Sequence, residues 1–211
     1  MKIGPVLLIT MLIFAGCSSK AAAPTHFDQL KLTYKPYEKP AVERQIPIVF
    51  VLVTASSSGR REPDGNLTSF GTHDLCFANY DLSENPDRPN TKILKDVPPG
   101  SDVEPIRACI TINDKQGTNY ATPLQPGNYF VGLSDRQPDS IGYAGIVWDK
   151  GIKLGNRAYF KLDQMKGQLR LDSVSEDAFS GEIDLSDGEN SMVGTFNGKA
   201  KIEKYIVPPL N

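Results

Sequence analysis

Short apolar runs recur along the chain, alternating with polar residues and separated by Gly, Pro and Asn/Asp clusters. That two-residue period belongs to half-buried strands. Ile46 to Thr54, IPIVFVLVT, is the most apolar stretch after residue 17, and five of its nine residues are Val or Ile. Its length and β-branching predict one central strand buried on both faces. Ala55 to Asn66, ASSSGRREPDGN, predicts a polar loop in which Arg60 and Arg61 are a solvated charge pair. Strands follow at Leu75–Tyr80, at Thr91–Val97 after a loop over 81–90, and at Pro105–Asn113. In the last, Ile106, Ala108, Ile110 and Ile112 face one way, and Arg107, Cys109 and Thr111 the other. Further strands are expected at Tyr129–Leu133 and Ile141–Trp148. Gly142 and Gly145 in the latter suit a ligand's close approach or, more simply, relief of packing against a large neighbour such as Trp148.

The C-terminal third reads as an antiparallel meander. Asn156–Leu162 and Gln168–Ser173 are expected to form a hairpin, pairing Leu162 with Leu169 and Phe160 with Leu171. Phe179–Leu185 and Met192–Ile202 also alternate. Pairing Leu185 with Met192 sets Ile183 against Gly194, Gly181 against Phe196 and Phe179 against Gly198. Large residues then meet glycines at each step, which selects this register. Two local patterns carry resemblances. Leu124-Gln-Pro-Gly-Asn-Tyr129 resembles a turn-plus-strand of Ig-like and transthyretin-like sandwiches. Met192 to Ala200 resembles the closing strand of many β-rich bacterial lipoproteins.

Composition agrees with strands. The chain holds 18 Gly and 16 Pro, spread along its length, with 9 Phe, 8 Tyr and 1 Trp to build a core. The expected fold is all-β: an antiparallel sandwich or barrel of about 8–10 strands with a C-terminal meander. The net charge is −2 at pH 7. A slightly acidic chain has no electrostatic footprint for nucleic acid.

The N-terminus has a distinct pattern. Lys2 precedes a dozen apolar residues that end in Phe14-Ala15-Gly16-Cys17. A basic start, an apolar middle and a small-residue exit are the parts of a secretory signal. The apolar run is shorter than the ~20 residues a spanning helix needs. Ala15-Gly16-Cys17 resembles the lipobox of bacterial lipoproteins, although Phe14 stands where that class usually has Leu. The resemblance implies cleavage before Cys17 and lipid on Cys17, so the protein's partner is the membrane through that lipid. Ser18 stands where Asp would signal inner-membrane retention in enterobacterial members, which implies the outer membrane. The expected organisation is a signal over 1–16, a lipidated flexible tether over 17–45 and a β-domain over 46–207. Leu30, Leu32 and Tyr34 alternate with Lys31 and Thr33 inside the tether, as a short edge strand would. Removing 1–16 takes away one Lys and no acid, so the net charge moves from −2 to −3. With Cys17 lipidated in an oxidising compartment, Cys76 and Cys109 are expected to form a disulfide; the alternative is two buried free thiols.

Catalytic signatures are absent from the sequence: there is no H-E-x-x-H, C-x-x-C, Walker loop, G-x-G-x-x-G or G-x-S-x-G. His26 and His73 are the two histidines. His73 and Cys76, three apart on a strand, point to opposite faces, which argues against a thiol dyad. Asp184 to Asn190, DLSDGEN, gathers acids around a Gly but misses EF-hand spacing and reads as a hairpin turn without metal. Asp135, Asp139, Glu176 and Asp177 read as loop acids. No cofactor is implied. The expected function is a non-catalytic binding or structural module for a protein or glycan ligand. The alternatives are a hydrolase with paired loop acids, or an inhibitor or immunity lipoprotein probing with the Ala55–Asn66 loop.

Overall fold

The computed structural model describes residues 28–36, 39–61, 64–80, 82–85, 88–94, 104–148 and 157–204. These residues form strands and connections without a helix. In chain order the strands are β1 (Gln29–Tyr34), β2 (Val42–Pro47), β3 (Phe50–Arg61), β4 (Leu67–Ala78), β5 (Leu82–Asn85), β6 (Arg88–Leu94) and β7 (Ile106–Gln116). They continue with β8 (Gly127–Phe130), β9 (Ser140–Trp148), β10 (Arg157–Tyr159), β11 (Lys166–Val174), β12 (Phe179–Ser186), β13 (Ser191–Gly198) and β14 (Lys201–Lys204). Two six-stranded sheets pack face to face, with β5 and β6 as a separate hairpin. The first sheet runs β2-β1-β13-β12-β11-β8, the second β10-β9-β7-β4-β3-β14. Among the described residues each ends on strands laddered on one side, with a single bridge, Val131 to Ile141, between the sheets, so the architecture is a sandwich and not a barrel. Its twelve strands exceed the expected eight to ten.

The core fills the space between the sheets. Leu30, Leu32, Ile183, Leu185 and Met192 from the first meet Val53, Leu75, Ile110 and Ile146 from the second, all at 0–1 % exposure. Phe196 of β13 touches Phe77 of β4, with ring centres 4.8 Å apart, and Phe179 of β12, at 5.4 Å. Tyr34 of β1 stacks on Trp148 of β9 at 4.4 Å. The glycine-to-aromatic register of β12 and β13 is as expected: Leu185 opposes Met192, Ile183 Gly194, Gly181 Phe196, and Phe179 Gly198. On β7, Ile106, Ala108, Ile110 and Ile112 are buried, while Arg107, Cys109 and Thr111 lie half-buried on the other side.

Several expectations need correction. The tether cannot extend to residue 45, because β1 and β2 are strands of the first sheet. Here β1 lies between β13 and β2 and buries Leu30, Leu32 and Tyr34. Ile46–Thr54 is not one strand. Ile46 and Pro47 close β2 in the first sheet, and Phe50 opens β3 in the second. Pro47 has no N–H to continue a ladder. The next two amides then divide between the sheets: Ile48 N donates to Asp28 O, and Val49 N to Ala78 O. The expected double burial survives within β3, where Val51, Leu52 and Val53 are all buried.

Ala55–Asn66 is not a loop. Its small polar residues continue β3 to Arg61, paired with β4 from Leu67 onward. Ser56 and Thr72 hydroxyls meet at 2.6 Å across that pair. The probing loop expected of an inhibitor is therefore a strand. Part of the expected loop over 81–90 is the β5–β6 hairpin.

Asn156–Leu162 does not pair with Gln168–Ser173. β10 joins β9 in the second sheet, whereas β11 lies between β12 and β8 in the first. A turn over Lys161–Met165, with Met165 N donating to Lys161 O at 2.8 Å, carries the chain from one sheet to the other. The signal over 1–16, Cys17, the tether as far as residue 27 and the domain end at 207 lie outside the described residues.

Candidate binding face

One side of the second sheet covers the core, and the pairing register lays out the other side in rows. In one row Phe50, Ala78, Arg107, Val147 and Arg157 stand side by side. The next holds Leu52, Cys76, Cys109, Gly145 and Tyr159. The third holds Thr54, Asp74, Thr111 and Tyr143. Leu52, Ala78, Phe50, Cys76 and Tyr80 form a small apolar cluster of their own at the β3–β4 side. Tyrosines and arginines gather at the β9–β10 side.

Cys76 and Cys109 are directly opposed neighbours on β4 and β7, with Cα atoms 4.1 Å apart and sulfurs at disulfide distance, 2.11 Å. Antiparallel neighbours approach this closely in non-hydrogen-bonded pairs. Gly145 lies opposite Cys109 on the next strand. A β-carbon on Gly145 would stand 2.5 Å from the Tyr143 hydroxyl. The glycine makes room for Tyr143, not for Trp148 as the sequence suggested. Gly142 makes room for the Asp135 carbonyl and the Asn113 amide.

The Tyr143 and Tyr159 rings lie 5.9 Å apart at 56°. Both keep exposed surface, 38 % and 50 %. Arg157 Nη1 donates to the Tyr159 hydroxyl at 2.9 Å. Burial pushes the Tyr143 phenol up to about 12, helped by Tyr159 and Asp74 and opposed by Arg157 and Arg107. Tyr80 is also pushed up by burial, against the charge and hydrogen bond of Arg107. Asp74 keeps an exposed side chain, yet the strands around it desolvate its carboxyl enough to raise it. The Thr111 hydroxyl, donating to Asp74 Oδ1 at 2.5 Å, and His73 act the other way. Clusters of shifted groups mark functional surfaces more often than chance would place them there. The sequence carried a signal for this face: alternation in IGYAGIVW sets Tyr143 and Gly145 on one side together. That Tyr159 and Arg157 would join them required knowing that β10 pairs with β9.

The other sequence candidates serve the fold. Asp187 is 4 % exposed. Its carboxylate accepts from Glu189 N at 2.9 Å, Asn190 N at 2.6 Å, Lys161 N at 2.8 Å and Asn190 Nδ2 at 3.0 Å. Burial alone would raise this carboxyl, but these donors outweigh it and hold it below the ordinary aspartate range. The acidic turn thus joins the β12–β13 hairpin to the crossover at Lys161. No group of three His, Cys, Asp or Glu able to hold a metal occurs among the described residues.

His73 is 2 % exposed and sits 3.0 Å from Asp114 Oδ2, inside the sandwich and on the side of β4 away from Cys76. Its burial withholds it from a substrate. Asp177 pairs with Lys199 at 3.2 Å in solvent, and the Glu176 carbonyl accepts from Ala200 N. The Asp135 carbonyl accepts from Asn113, and Asp139 N donates to the Asp114 carbonyl. Arg60 and Arg61 end β3. A cavity of about 120 Å³ opens between the sheets beside Asp28, Val49 and Phe196. It is smaller than the ~300–1,000 Å³ of usual small-molecule sites.

Neither protein-family models nor curated proteins nor solved structures give a match to this chain.

Proposed function

We propose that the chain is a lipid-anchored cell-envelope protein of the outer membrane, acting as a non-catalytic binding module through the outer face of its second sheet. The observation that carries the binding role is the pairing of Tyr143 and Tyr159 beside Arg157 and Arg107 on one strand-built surface. Tyr and Arg are the residue types that most often anchor interfaces, and strands hold them rigidly. The anchor is supported by Lys2, the apolar run and Ala15-Gly16-Cys17. The opposed Cys76 and Cys109 suit the oxidising compartment that the anchor implies.

The sandwich starts at Gln29, which leaves eleven residues between Cys17 and Gln29. That length spans at most ~40 Å, so the lipid would keep the domain close to the bilayer. A hydrolase with paired acids would call for two neighbouring carboxyls with raised pKa. Among the described acids with shifted values, Asp74 is raised, while Asp187 and Glu189 are lowered.

Metabolic labelling with an alkyne fatty acid tests the anchor. Wild type should take up label and sediment with outer membranes, and Cys17→Ser should lose both properties. Equal labelling of Cys17→Ser would refute the lipid assignment, and sedimentation with inner membranes would refute the location.

A further inference from the structure

We infer that the face around Gly145 binds an acidic saccharide, an oligosaccharide whose carboxylates meet Arg157 and Arg107 while its rings lie across Tyr143 and Tyr159. The inference rests on the binding-module reading and names its ligand class. Backbone donors and acceptors of β7 are committed to β4 and β9 on either side, while β10 is an edge strand paired with β9 alone. A ligand lying across this face, away from the β10 edge, therefore meets side chains. What the side chains offer is two tilted phenol rings, their hydroxyls and two guanidinium groups. Sugar rings present C–H faces that stack on aromatic faces, and their hydroxyls exchange hydrogen bonds with phenols. A guanidinium matches a carboxylate with two parallel donors.

Charge points the same way. The whole chain carries −2, whereas the charged positions in these three rows are Arg107, Arg157 and Asp74, joined by Lys201 and Glu203 of β14 in register with Leu52 and Thr54, which leaves one more basic than acidic position. The face is locally positive on an acidic protein, and so complementary to an anion. Arg157 is also held in place by the Tyr159 hydroxyl, so less freedom is lost when a ligand docks.

The test titrates the full chain, in detergent, with tetragalacturonate, its neutral counterpart maltotetraose and a hexaglutamate peptide. Calorimetry measures affinity, and tyrosine side-chain NMR locates the contact. Tetragalacturonate should bind saturably, weaken as salt rises, and shift the Tyr143 and Tyr159 resonances. Maltotetraose should bind about tenfold more weakly or worse. Arg157→Gln and Tyr159→Ala should each weaken tetragalacturonate binding about tenfold, a size usual for interface anchors. Glu43→Gln, on the other sheet, should change nothing, and unchanged thermal unfolding of each variant would exclude a folding defect. No saturable binding of tetragalacturonate, or binding indifferent to Arg157→Gln and Tyr159→Ala, overturns the inference. Hexaglutamate binding through these residues without tetragalacturonate binding also overturns it, yet leaves the binding-face reading standing. If neither ligand shifts the two tyrosines, the face loses its support as well.

Discussion

Replacing Phe196 with Ala should remove one of the main contacts between the two sheets. The ring is 2 % exposed, touches Phe77 and Phe179, and covers Gly181 on the neighbouring strand. A β-carbon at Gly181 would lie 2.8 Å from Phe196 Cζ, so the ring fills the space the glycine leaves. Truncating a buried Phe costs ~3–5 kcal/mol through lost transfer energy and the cavity left behind. Total stability is ~5–15 kcal/mol, so this is a large share of it. For a domain of this size the melting point should fall by roughly 6–20 °C. Val193→Ala supplies the contrast. Val193 lies on the same strand, is 41 % exposed and faces the other way, so its loss should stay within ~0.5 kcal/mol. Urea unfolding monitored by circular dichroism measures both. A one-residue slip of β13 would exchange the two positions. Equal losses, or a larger loss at Val193, would therefore refute the register and the packing built on it.

Gly145→Ala should push Tyr143 off the sheet face; its phenol, held at about 12, should then ionise nearer to 10 in a spectrophotometric titration. Between those values folded wild type keeps a proton that the unfolded chain has released. Its stability should thus fall as pH rises through that window, and Tyr143→Phe should lose less. Asp187→Asn should destabilise by ~1–3 kcal/mol at neutral pH, because buried N–H donors lose a charged acceptor. Since the folded-state carboxyl sits below its ordinary range, the contribution is present above that range and lost as pH falls through the lowered value. The gap between wild type and Asp187→Asn in urea unfolding should accordingly close in strong acid.

Alternation and glycine placement made the faces and one register legible before any coordinates. Gly181, Gly194 and Gly198 each needed a large partner, and only one pairing of β12 with β13 supplied all three. Period-two patterning, however, says which residues share a face and not which sheet receives them. Phe160 and Leu162 fit a hairpin with Leu169 and Leu171 equally well on paper. The crossover at Lys161 is instead fixed by Asp187, twenty-six positions away. The polar end of β3 was invisible for a related reason. Ser56, Ser57 and Ser58 carry little strand preference, and pairing with β4 sets their conformation. The same limit hid the proposed binding face, whose tyrosines come from two strands joined through the residues between Trp148 and Arg157.

The Cys76–Cys109 pair lies in the middle row of that face, beside Gly145, which raises the question of whether it holds the face in place or only the chain. The two residues are separated by 33 positions, and closing such a loop removes ~3–4 kcal/mol of freedom from the unfolded chain. In the folded state β4 and β7 are already joined by an extended ladder on either side of the pair, and β7 is joined to β9 as firmly. The neighbours of Gly145 are thus fixed by pairing that does not depend on the sulfurs. Reduction should expose two thiols and lower unfolding stability by that ~3–4 kcal/mol. Tyr143 in the reduced but folded protein should still ionise at about 12, because its burial is unchanged. A reduced, folded protein in which Tyr143 titrates near 10 would show the opposite: that the bond itself positions the face.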